Sequence, residues 1–454
     1  MKRFDLKTRE DLEAKLARIG AALPWSDDLS PLGTPLEVAG RKLANRFVVQ
    51  PMEGVDACDD DGTPGELTFR RYRRYAAGGS ALIWFESVSV VPKGRSGPRQ
   101  LMLTERNLAV WQRLVEETRK AARETGCGEV TLLLQLTHSG RYSRPQGKPA
   151  PVVAQRNPLL EQAMPEMPVC EPISDDALDR LLDAFTTTAQ LAERAGFDGV
   201  DMKAVHGYLV AELLGARQRE GRFGGSYENR TRFLKACIAA MRQTLNPNTW
   251  VASRLTVLEP SAYPYGWGVA EHEGPWQADL TEPLRLISEL TACGVPLHNI
   301  SMGYPRFQPH LNRPHDRALV GCPPPPEDPL RGVVRFQETV RSVRHAAHGA
   351  PVITAALSWL RHLAPQVAAG MIREGWCDLV GFGRSAFAYP DAPRDILEHG
   401  KMTPDKCCVT CSMCSQIMKD VVGRGGCVVR DSAIYVPEYR RGRDHAMRKV
   451  SDED

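Results

Sequence analysis

The fold is decided by residues 196–209, G-F-D-G-V-D-M-K-A-V-H-G-Y-L. This stretch contains a short strand pattern that is followed directly by polar residues. Residues 199–203 are rich in apolar and β-branched side chains, and helical patterns precede them at 174–195 and follow them at 227–244. A strand between two helical segments is the repeating unit of α/β proteins with a parallel sheet. The flanking sequence should therefore repeat this unit.

The same unit recurs along most of the chain. Eight runs predict strands, at residues 46–51, 81–86, 130–136, 199–203, 250–255, 298–301, 351–355 and 378–382. Helical patterns alternate with them, at about 66–77, 107–125, 174–195, 227–244, 281–293, 331–346 and 359–374. This alternation predicts an α/β fold, a closed (β/α)8 TIM barrel.

Polar residues follow the predicted strands, at the end where such barrels carry their chemistry. They lie at residues 50–54, 135–141 and 203–208, at Arg254, and at residues 381–384. The last of these groups, Gly-Phe-Gly-Arg, combines a glycine turn with an arginine, which suits a phosphate. No G-x-G-x-x-G follows a strand, so we expect no dinucleotide-binding Rossmann unit.

Four cysteines near the C-terminus have the spacing of a metal site. Cys408, Cys411, Cys414 and Cys427 form a C-x2-C-x2-C-x12-C array. Three thiolates from one loop and a fourth from beyond a helical stretch can enclose an iron–sulfur cluster. A structural zinc and inert buried thiols are the alternatives. Cys407 is an alternative in register, but only Cys408 keeps the three-residue steps.

Composition excludes several other classes. The chain of 454 residues has 58 basic and 55 acidic side chains, a balance that does not favour nucleic-acid binding. The other cysteines are not paired by spacing, and no apolar segment follows the N-terminus, which argues against a secreted disulfide scaffold. No apolar run has membrane-spanning length. We expect a cytoplasmic protein that binds neither nucleic acid nor membrane, and its oligomeric state stays open.

The chain resembles the old yellow enzyme (NADH:flavin oxidoreductase) family over about residues 30–435. The closest likeness is to its iron–sulfur branch, typified by trimethylamine dehydrogenase and 2,4-dienoyl-CoA reductase, without their C-terminal nucleotide-binding domains. The motifs are N-R-F-V-V-Q-P-M (45–52), Q-L-T-H-S-G-R (135–141), the stretch 196–209, R-F-G-G-S-Y-E-N-R-T-R-F-L (222–234), S-R-L (253–255), G-F-G-R (381–384) and the cysteine array.

The resemblance implies a bound FMN and the residues that hold it. Pro51 and Met52 would contact the flavin, with Glu53 beside them where many relatives have Thr or Cys. Gln135 would bond the pyrimidine edge, and Arg254 would lie by N1 and O2, where negative charge collects on reduction. The phosphate would be held by these residues: Gly381, Gly383, Arg384 and, in the segment after strand 7, Ala356. That segment lacks the glycine that many relatives have.

The resemblance also assigns the substrate-facing residues. Many relatives have His, then His or Asn, then Tyr, and this chain has Lys203, His206 and Tyr208. The first two would hold the carbonyl oxygen of an enone, and Tyr208 would protonate the α-carbon. A salt-bridged Lys203 and packing roles for His206 and Tyr208 are the structural alternatives.

The resemblance implies a function as well. We expect an FMN- and [4Fe–4S]-dependent ene-reductase that reduces the C=C bond of a small-molecule α,β-unsaturated carbonyl or carboxyl compound. Electrons would enter through the cluster from an external ferredoxin, flavodoxin or flavoprotein subunit, or from NAD(P)H directly. The alternatives are an amine or alicyclic dehydrogenase or demethylase that passes electrons out, and a non-catalytic electron-transfer subunit.

Two long loops should form the substrate wall, and the chain should divide into four segments. Candidate contacts in loops 140–173 and 302–330 are Tyr142, Arg144, Tyr304, Arg306, His310 and Arg313. The segments are an N-terminal helical extension (1–30, helix at 6–22), the FMN-binding barrel (31–400), the iron–sulfur segment (401–435) and a charged tail (436–454).

Overall fold

A computed structural model describes residues 4–272, 274–420 and 422–451. Its strands are β1 (Leu36–Val38), β2 (Arg41–Leu43), β3 (Phe47–Val49), β4 (Leu82–Ser89), β5 (Thr131–Thr137), β6 (Gly199–Met202), β7 (Trp250–Thr256), β8 (His298–Ser301), β9 (Val352–Thr354) and β10 (Leu379–Phe382). Strands β3 to β10 are parallel and close into a barrel in chain order, with β10 paired to β3. The predicted (β/α)8 TIM barrel is confirmed.

Helices surround the barrel at the predicted places. They are α1 (Arg9–Arg18), α2 (Ser30–Gly33), α3 (Glu66–Ala77), α4 (Leu108–Glu124), α5 (Pro158–Ala163), α6 (Asp175–Arg194), α7 (Leu209–Leu214), α8 (Tyr227–Thr244), α9 (Thr281–Ala292), α10 (Pro309–Asn312), α11 (Pro329–Ala346), α12 (Ala364–Arg373), α13 (Arg384–Ala388), α14 (Ala392–His399), α15 (Met413–Asp420) and α16 (Ser432–Ser451). Each long helix buries one apolar face, as α6 does with Leu178, Leu181 and Phe185.

A β-hairpin that the sequence pattern did not predict closes the amino-terminal end of the barrel. Strands β1 and β2 pair antiparallel. Val38 and Leu43 from this hairpin join a cluster with interior residues near the strand starts, such as Leu82 and Leu379. The hairpin therefore seals the end of the barrel opposite the predicted site.

Strand β4 is longer than predicted. It continues to Ser89, three residues beyond the predicted end at Glu86, where the register shifts. The Glu86 carboxylate is buried but accepts hydrogen bonds from the Gly54 amide at 2.7 Å and the Arg71 guanidinium at 2.5 Å. Burial raises the pKa of Glu86 to about 7 despite these partners, so the strand passes through the core with a carboxyl group that is hydrogen-bonded and readily neutralised.

The two termini differ in how well the pattern predicted them. Helix α1 lies within the predicted helix 6–22, begins with a capping box at Thr8 and buries Leu12 and Leu16 in the main core. Residues 432–451 form helix α16, so the expected tail boundary at residue 436 falls inside a helix. Residues 452–454 lie outside the described residues. Among the described helices, none has the length and apolarity needed to cross a membrane.

Candidate functional site

The carboxyl-terminal ends of strands β3 to β10, here called the mouth, bring the predicted flavin residues together. Pairing of β10 with β3 sets Gly381 and Gly383 beside Gln50 and Met52. A Cβ atom added to Gly381 would lie 2.1 Å from Nε2 of Gln50, and one added to Gly383 would lie 3.3 Å from Sδ of Met52. Glycine at these positions thus lets the residues after β3 approach the turn after β10.

Several buried polar atoms at the mouth have no hydrogen-bond partner in the described part of the chain. These atoms are Nε2 of Gln50, Oγ1 of Thr137, Oγ of Ser139, Nε of Arg254, Oδ1 of Asn299 and Nη1 of Arg384. Buried polar groups in proteins are nearly always paired. Donors and acceptors from five strand ends therefore suit a polar ligand at the mouth, and the residues present fit an FMN.

Arg254 and Gln135 are held by one buried carboxylate inside the barrel. Asp201 accepts hydrogen bonds from Nε2 of Gln135 at 2.5 Å, the backbone N–H of Arg254 at 2.5 Å and Nε1 of Trp84 at 2.8 Å. Burial raises the pKa of Asp201 to about 6 and lowers the pKa of Arg254 to about 10. Nη1 of Arg254 lies 3.5 Å from the carbonyl oxygen of Pro51. This guanidinium is positioned to stabilise negative charge near Pro51.

Lys203 and Glu53, which the resemblance placed in separate roles, form one buried ion pair. Nζ of Lys203 lies 3.0 Å from Oε1 of Glu53, and both residues are less than 10% exposed. The carboxylate also accepts from Ser87 at 2.5 Å and Ser96 at 3.1 Å. Burial raises the pKa of Glu53, but the Lys203 charge and these hydrogen bonds outweigh it, and the pKa ends below its usual value. Lys203 is therefore a salt-bridged strand end.

Tyr208 belongs to the same network. Its hydroxyl donates to Oε1 of Glu53 at 3.2 Å, and its ring centroid lies 3.6 Å from Nζ of Lys203. Burial and the neighbouring carboxylate hold the pKa of Tyr208 well above its usual value. The phenol therefore stays protonated at physiological pH, as a proton donor must.

His206 lies on the other side of this turn. Its Nε2 lies 3.0 Å from Oγ of Ser301, and its backbone adopts a left-handed conformation with φ 70°. Burial lowers the pKa of His206 well below its usual value, and the charges of Arg254, Lys203 and Arg313 lower it further. The imidazole is thus neutral at physiological pH and can donate one hydrogen bond.

A buried carboxylate that sequence reasoning missed supports the turn. Glu259 is 1% exposed and accepts a hydrogen bond from the backbone N–H of Gly207 at 2.7 Å. Burial raises the pKa of Glu259 to about 8. Its position three residues beyond β7 was the available signal, because that place is also a strand end.

The structure brings two of the six candidate substrate contacts, Tyr142 and Tyr304, to the turn that contains Gly207. A Cβ atom on Gly207 would lie 2.6 Å from the ring of Tyr304 and 3.1 Å from the hydroxyl of Tyr142. The ring of Tyr142 also lies 5.9 Å from that of Tyr208. These two tyrosines form an aromatic wall beside His206 and Tyr208.

The other loop candidates lie elsewhere. His310 is on α10, near the charges of Glu327 and Arg335. Arg144 and Arg306 contact Glu166. Arg313 donates to Oγ of Ser412 in the cysteine-rich segment at 3.2 Å. Loop 302–330 therefore packs partly on that segment instead of only facing the mouth.

The turn after β9, which was predicted to contact the phosphate, has a left-handed residue and lies against the turn after β10. Ala356 adopts a left-handed conformation with φ 65°, where relatives often have glycine. Ser385 donates to Ser358 at 3.0 Å, which ties the turn after β9 to the turn after β10. The two turns thus lie side by side at Gly383, so a phosphate contact from Ala356 stays a prediction.

Four cysteine side chains line one small cavity, here called the cysteine cavity: Cys408, Cys411, Cys414 and Cys427. Arg384 and Phe387 complete part of its wall. Cys407 does not line it, because its buried thiol donates to the carbonyl oxygen of Thr403 at 3.4 Å. The described residues contain no group of three or more His, Cys, Asp or Glu side chains arranged for one metal ion.

The loop that carries these cysteines is held in an unusual backbone conformation. Thr410 and Ser412 have φ of 48° and 61°, in the left-handed region that non-glycine residues rarely adopt. Thr410 donates to Asp316 at 3.2 Å, and Ser412 donates to the carbonyl oxygen of Arg317 at 2.6 Å. Loop 302–330 thereby fixes the curvature that turns the cysteines toward one cavity.

Backbone amides also point at two of the sulfurs. The N–H of Thr410 donates to Sγ of Cys408 at 3.4 Å, and the N–H of Arg430 donates to Sγ of Cys427 at 3.4 Å. Hydrogen bonds to sulfur are one of the means by which proteins stabilise thiolate ligands of iron–sulfur clusters. The donor set of the cavity therefore fits such a cluster.

Comparison with known proteins agrees with this geometry. Residues 31–277, more than half of the chain, match the model of the NADH:flavin oxidoreductase / NADH oxidase family. The chain belongs to this family. Membership makes the protein an enzyme, a flavin-dependent oxidoreductase, and it confirms the old yellow enzyme resemblance.

Named relatives cover different shares of the chain. The NADPH dehydrogenase of Clostridium acetobutylicum is 28% identical over 283 residues, which are 60% of this chain and 76% of the relative. The NADH oxidase of Thermoanaerobacter brockii is 24% identical over 375 residues, which are 82% of this chain and 51% of the relative. The chain thus spans about half the length of the second relative.

Two solved structures share the fold. A 2-naphthoyl-CoA reductase complex superposes with a TM-score of 0.66 at 19% identity, over 86% of this chain and 55% of that one. The histamine dehydrogenase from Rhizobium sp. 4-9 superposes with a TM-score of 0.61 at 18% identity, over 88% of this chain and 50% of that one. At these identities the likeness shows a common fold. The chemistry of this family member has to be argued from the residues of its own site.

Proposed function

We propose that this protein is an FMN- and [4Fe–4S]-dependent ene-reductase that reduces the C=C bond of an α,β-unsaturated carbonyl or carboxyl compound. One observation carries the proposal: Arg384 belongs both to the mouth, beside Gly383, and to the wall of the cysteine cavity. A cluster in that cavity would therefore adjoin a flavin at the mouth. A protein with this fold, the 2-naphthoyl-CoA reductase, is named as a reductase, which supports the proposal.

The residues at the mouth have separate tasks in this reaction. When bound, FMN supplies a hydride at N5 and converts between one- and two-electron steps. Neutral His206 holds the substrate oxygen by a hydrogen bond, and Arg254 stabilises the negative charge that collects beside Pro51. Tyr208 keeps its proton until the α-carbon accepts it. The Tyr142 and Tyr304 rings exclude water from one side of the turn.

The ion pair narrows the substrate class. Because Lys203 is neutralised by Glu53 at 3.0 Å, its ammonium is not a free partner for a substrate carboxylate. Buried pairs of this kind strongly resist loss of one partner. The geometry therefore favours a neutral enone over an anionic acid.

The runner-up is an amine dehydrogenase that passes electrons out through the cluster. It is favoured by the buried carboxyl group of Glu259, which accepts a hydrogen bond from the backbone N–H of Gly207, between His206 and Tyr208. Burial raises the pKa of Glu259 to about 8, and a cationic amine beside it would favour the ionised carboxylate and gain a charge partner. The histamine dehydrogenase with this fold bears a name of that class.

The first test is cofactor content. We expect anaerobically purified protein to hold one non-covalent FMN and about four irons per chain, the content of one four-iron cluster. Cys411→Ala should remove the iron and leave FMN bound, because Cys411 lines the cysteine cavity and the flavin residues lie at the mouth. Visible spectra, iron assay and acid release of flavin measure this.

Cys407→Ala is the matched control, since that buried thiol lies next to Cys408 but does not line the cavity. It should retain full iron. Stoichiometric iron in Cys411→Ala would contradict the ligand assignment. Zinc in place of iron would contradict the cluster.

The second test concerns the electron donor. Because the cysteine cavity adjoins the mouth through Arg384, a low-potential one-electron donor such as reduced viologen should reduce the enzyme quickly. NADH and NADPH alone should reduce it slowly. Anaerobic stopped-flow absorbance measures both rates. Fast, stoichiometric flavin bleaching by NADH or NADPH would show that electrons need not enter through the cluster.

A further inference from the structure

Two arginines, Arg384 and Arg313, lie near the cysteine cavity. Arg313 has no role in the proposed reaction. Arg384 is 6% exposed, lines the cavity, and donates from Nη2 to the carbonyl oxygen of Pro314 at 2.8 Å. Arg313, from loop 302–330, donates to Ser412 at 3.2 Å. Ser412 directly follows Cys411, so this guanidinium contacts the loop that carries the cysteines.

Neither arginine has a carboxylate partner. Within residues 4–272, 274–420 and 422–451, no Asp or Glu oxygen lies within 4.0 Å of Arg313 or Arg384, whereas the nearby Arg361 pairs with Asp316 at 3.0 Å. Charges removed from water are normally paired, because an unpaired one is costly. The flavin phosphate is the proposed anion for Arg384, so Arg313 is the one of these two cations that still lacks a negative partner.

The electrostatic influences on Arg313 point to where that partner lies. The pKa of Arg313 is lowered to about 10, first by burial and then by the positive charge of Arg384, while Cys414 and Cys322 act in the opposite direction. Arg313 is thus within reach of a cluster ligand as well as of Arg384. Negative charge in the cysteine cavity would relieve the repulsion between the two guanidinium groups.

We propose that Arg313 is an electrostatic counterion of the iron–sulfur cluster and raises its reduction potential. The inference rests on the proposed function, because it needs the cluster. Four thiolates carry more negative charge than the iron–sulfide core offsets, and reduction adds one further negative charge. A cation that contacts the cysteine loop therefore stabilises the reduced cluster more than the oxidised one.

The test is a redox titration of the cluster in holoenzyme, followed by electron paramagnetic resonance, with dithionite as reductant. Arg313→Gln should keep four irons and shift the midpoint potential of the cluster to a more negative value. Arg313→Lys keeps the positive charge and should keep a potential close to that of the parent. Arg306→Gln is the matched control in the same loop, because Arg306 is paired with Glu166 and should not affect the cluster.

Three results would overturn the inference. One is an unchanged cluster potential in Arg313→Gln with full iron. Another is an equal drop in the glutamine and lysine variants, which would assign the effect to packing instead of charge. The third is weaker FMN binding, measured by flavin fluorescence, with an unchanged cluster potential, which would assign Arg313 to the flavin phosphate. Absence of iron in the unaltered protein would instead contradict the proposed function itself.

Discussion

Replacing Tyr208 by phenylalanine is expected to lower kcat by roughly 10²- to 10⁴-fold, the usual scale for loss of a positioned general acid. The change removes the hydroxyl that donates to Glu53 at 3.2 Å and leaves the ring beside Nζ of Lys203. Fold, FMN and iron should therefore persist. Steady-state reduction of 2-cyclohexenone, with reduced viologen as donor under anaerobic conditions, measures the effect.

Tyr142→Phe is the matched control for this variant. Its ring lies 5.9 Å from that of Tyr208, and its hydroxyl has no hydrogen-bond partner in the described residues. We expect a loss in kcat of less than about 10-fold, because no proton transfer depends on this hydroxyl. His206→Ala should instead affect both KM and kcat, since it removes a contact that strengthens in the transition state.

Unchanged turnover in Tyr208→Phe, with chemistry rate-limiting, would mean that the α-carbon takes its proton from another group. The amine dehydrogenase would then be the better proposal. Anaerobic reduction of the flavin by amines, without an added reductant, would distinguish the two directions.

Replacing Lys203 by methionine is expected to destabilise the protein by about 3–5 kcal/mol, the scale for removing one partner of a buried ion pair. Glu53, which is 7% exposed, would either stay ionised without its cation or take up a proton against its hydroxyl partners, and both cost free energy. Urea unfolding of the flavin-loaded protein measures the loss.

The double variant Glu53→Gln with Lys203→Met provides the control. Burial lowers the pKa of Lys203 despite Glu53, so the lysine carries desolvation that the pair does not offset, whereas Lys203 and the hydroxyl partners offset that of Glu53. Removing both charges should therefore restore most of the stability, and the two changes should be strongly non-additive. Equal stability of Lys203→Met and the parent would show that Ser87, Ser96 and Tyr208 alone satisfy the carboxylate.

The pair also gives a pH dependence. The pKa of Glu53 is lowered in the folded protein, so its contribution is present above the usual carboxyl pKa and is lost as the pH falls through the lowered value. The parent should therefore lose more stability on acidification below neutral pH than the double variant does.

The barrel could be predicted because its signals are local. Helix α3 occupies the predicted residues 66–77, where one apolar face lies between Gly65 and Gly78. Strand β4 was predicted too short because its compensating partner, Arg71, is on a different element. A charged residue is easily interpreted as the end of a strand when its hydrogen-bond partner lies on an element that is distant in the sequence.

The location of the site could be predicted from the sequence, but the contacts between its side chains could not. Strand-end logic located Gln135, Arg254 and Tyr208 at one mouth, because the ends of parallel strands meet there. Glu53 and Lys203 are 150 residues apart in the sequence, so no periodicity relates them. Arg313 was expected at the substrate, but the fold of loop 302–330 sets it against Ser412, and loop conformation is not encoded in spacing.

Closure of the barrel by β10 against β3 bears on how the cell must assemble this enzyme. Phe47–Val49 is synthesised early, yet its partner Leu379–Phe382 follows more than 300 residues later. At about 5–20 residues per second, a ribosome needs roughly 15–70 s to make the intervening chain. During that time β3 has one open edge and the mouth lacks Gly383 and Arg384. A complete flavin site at the mouth therefore has to wait until β10 and the turn after it are made, and the open edge of β3 is available for pairing with other chains until then.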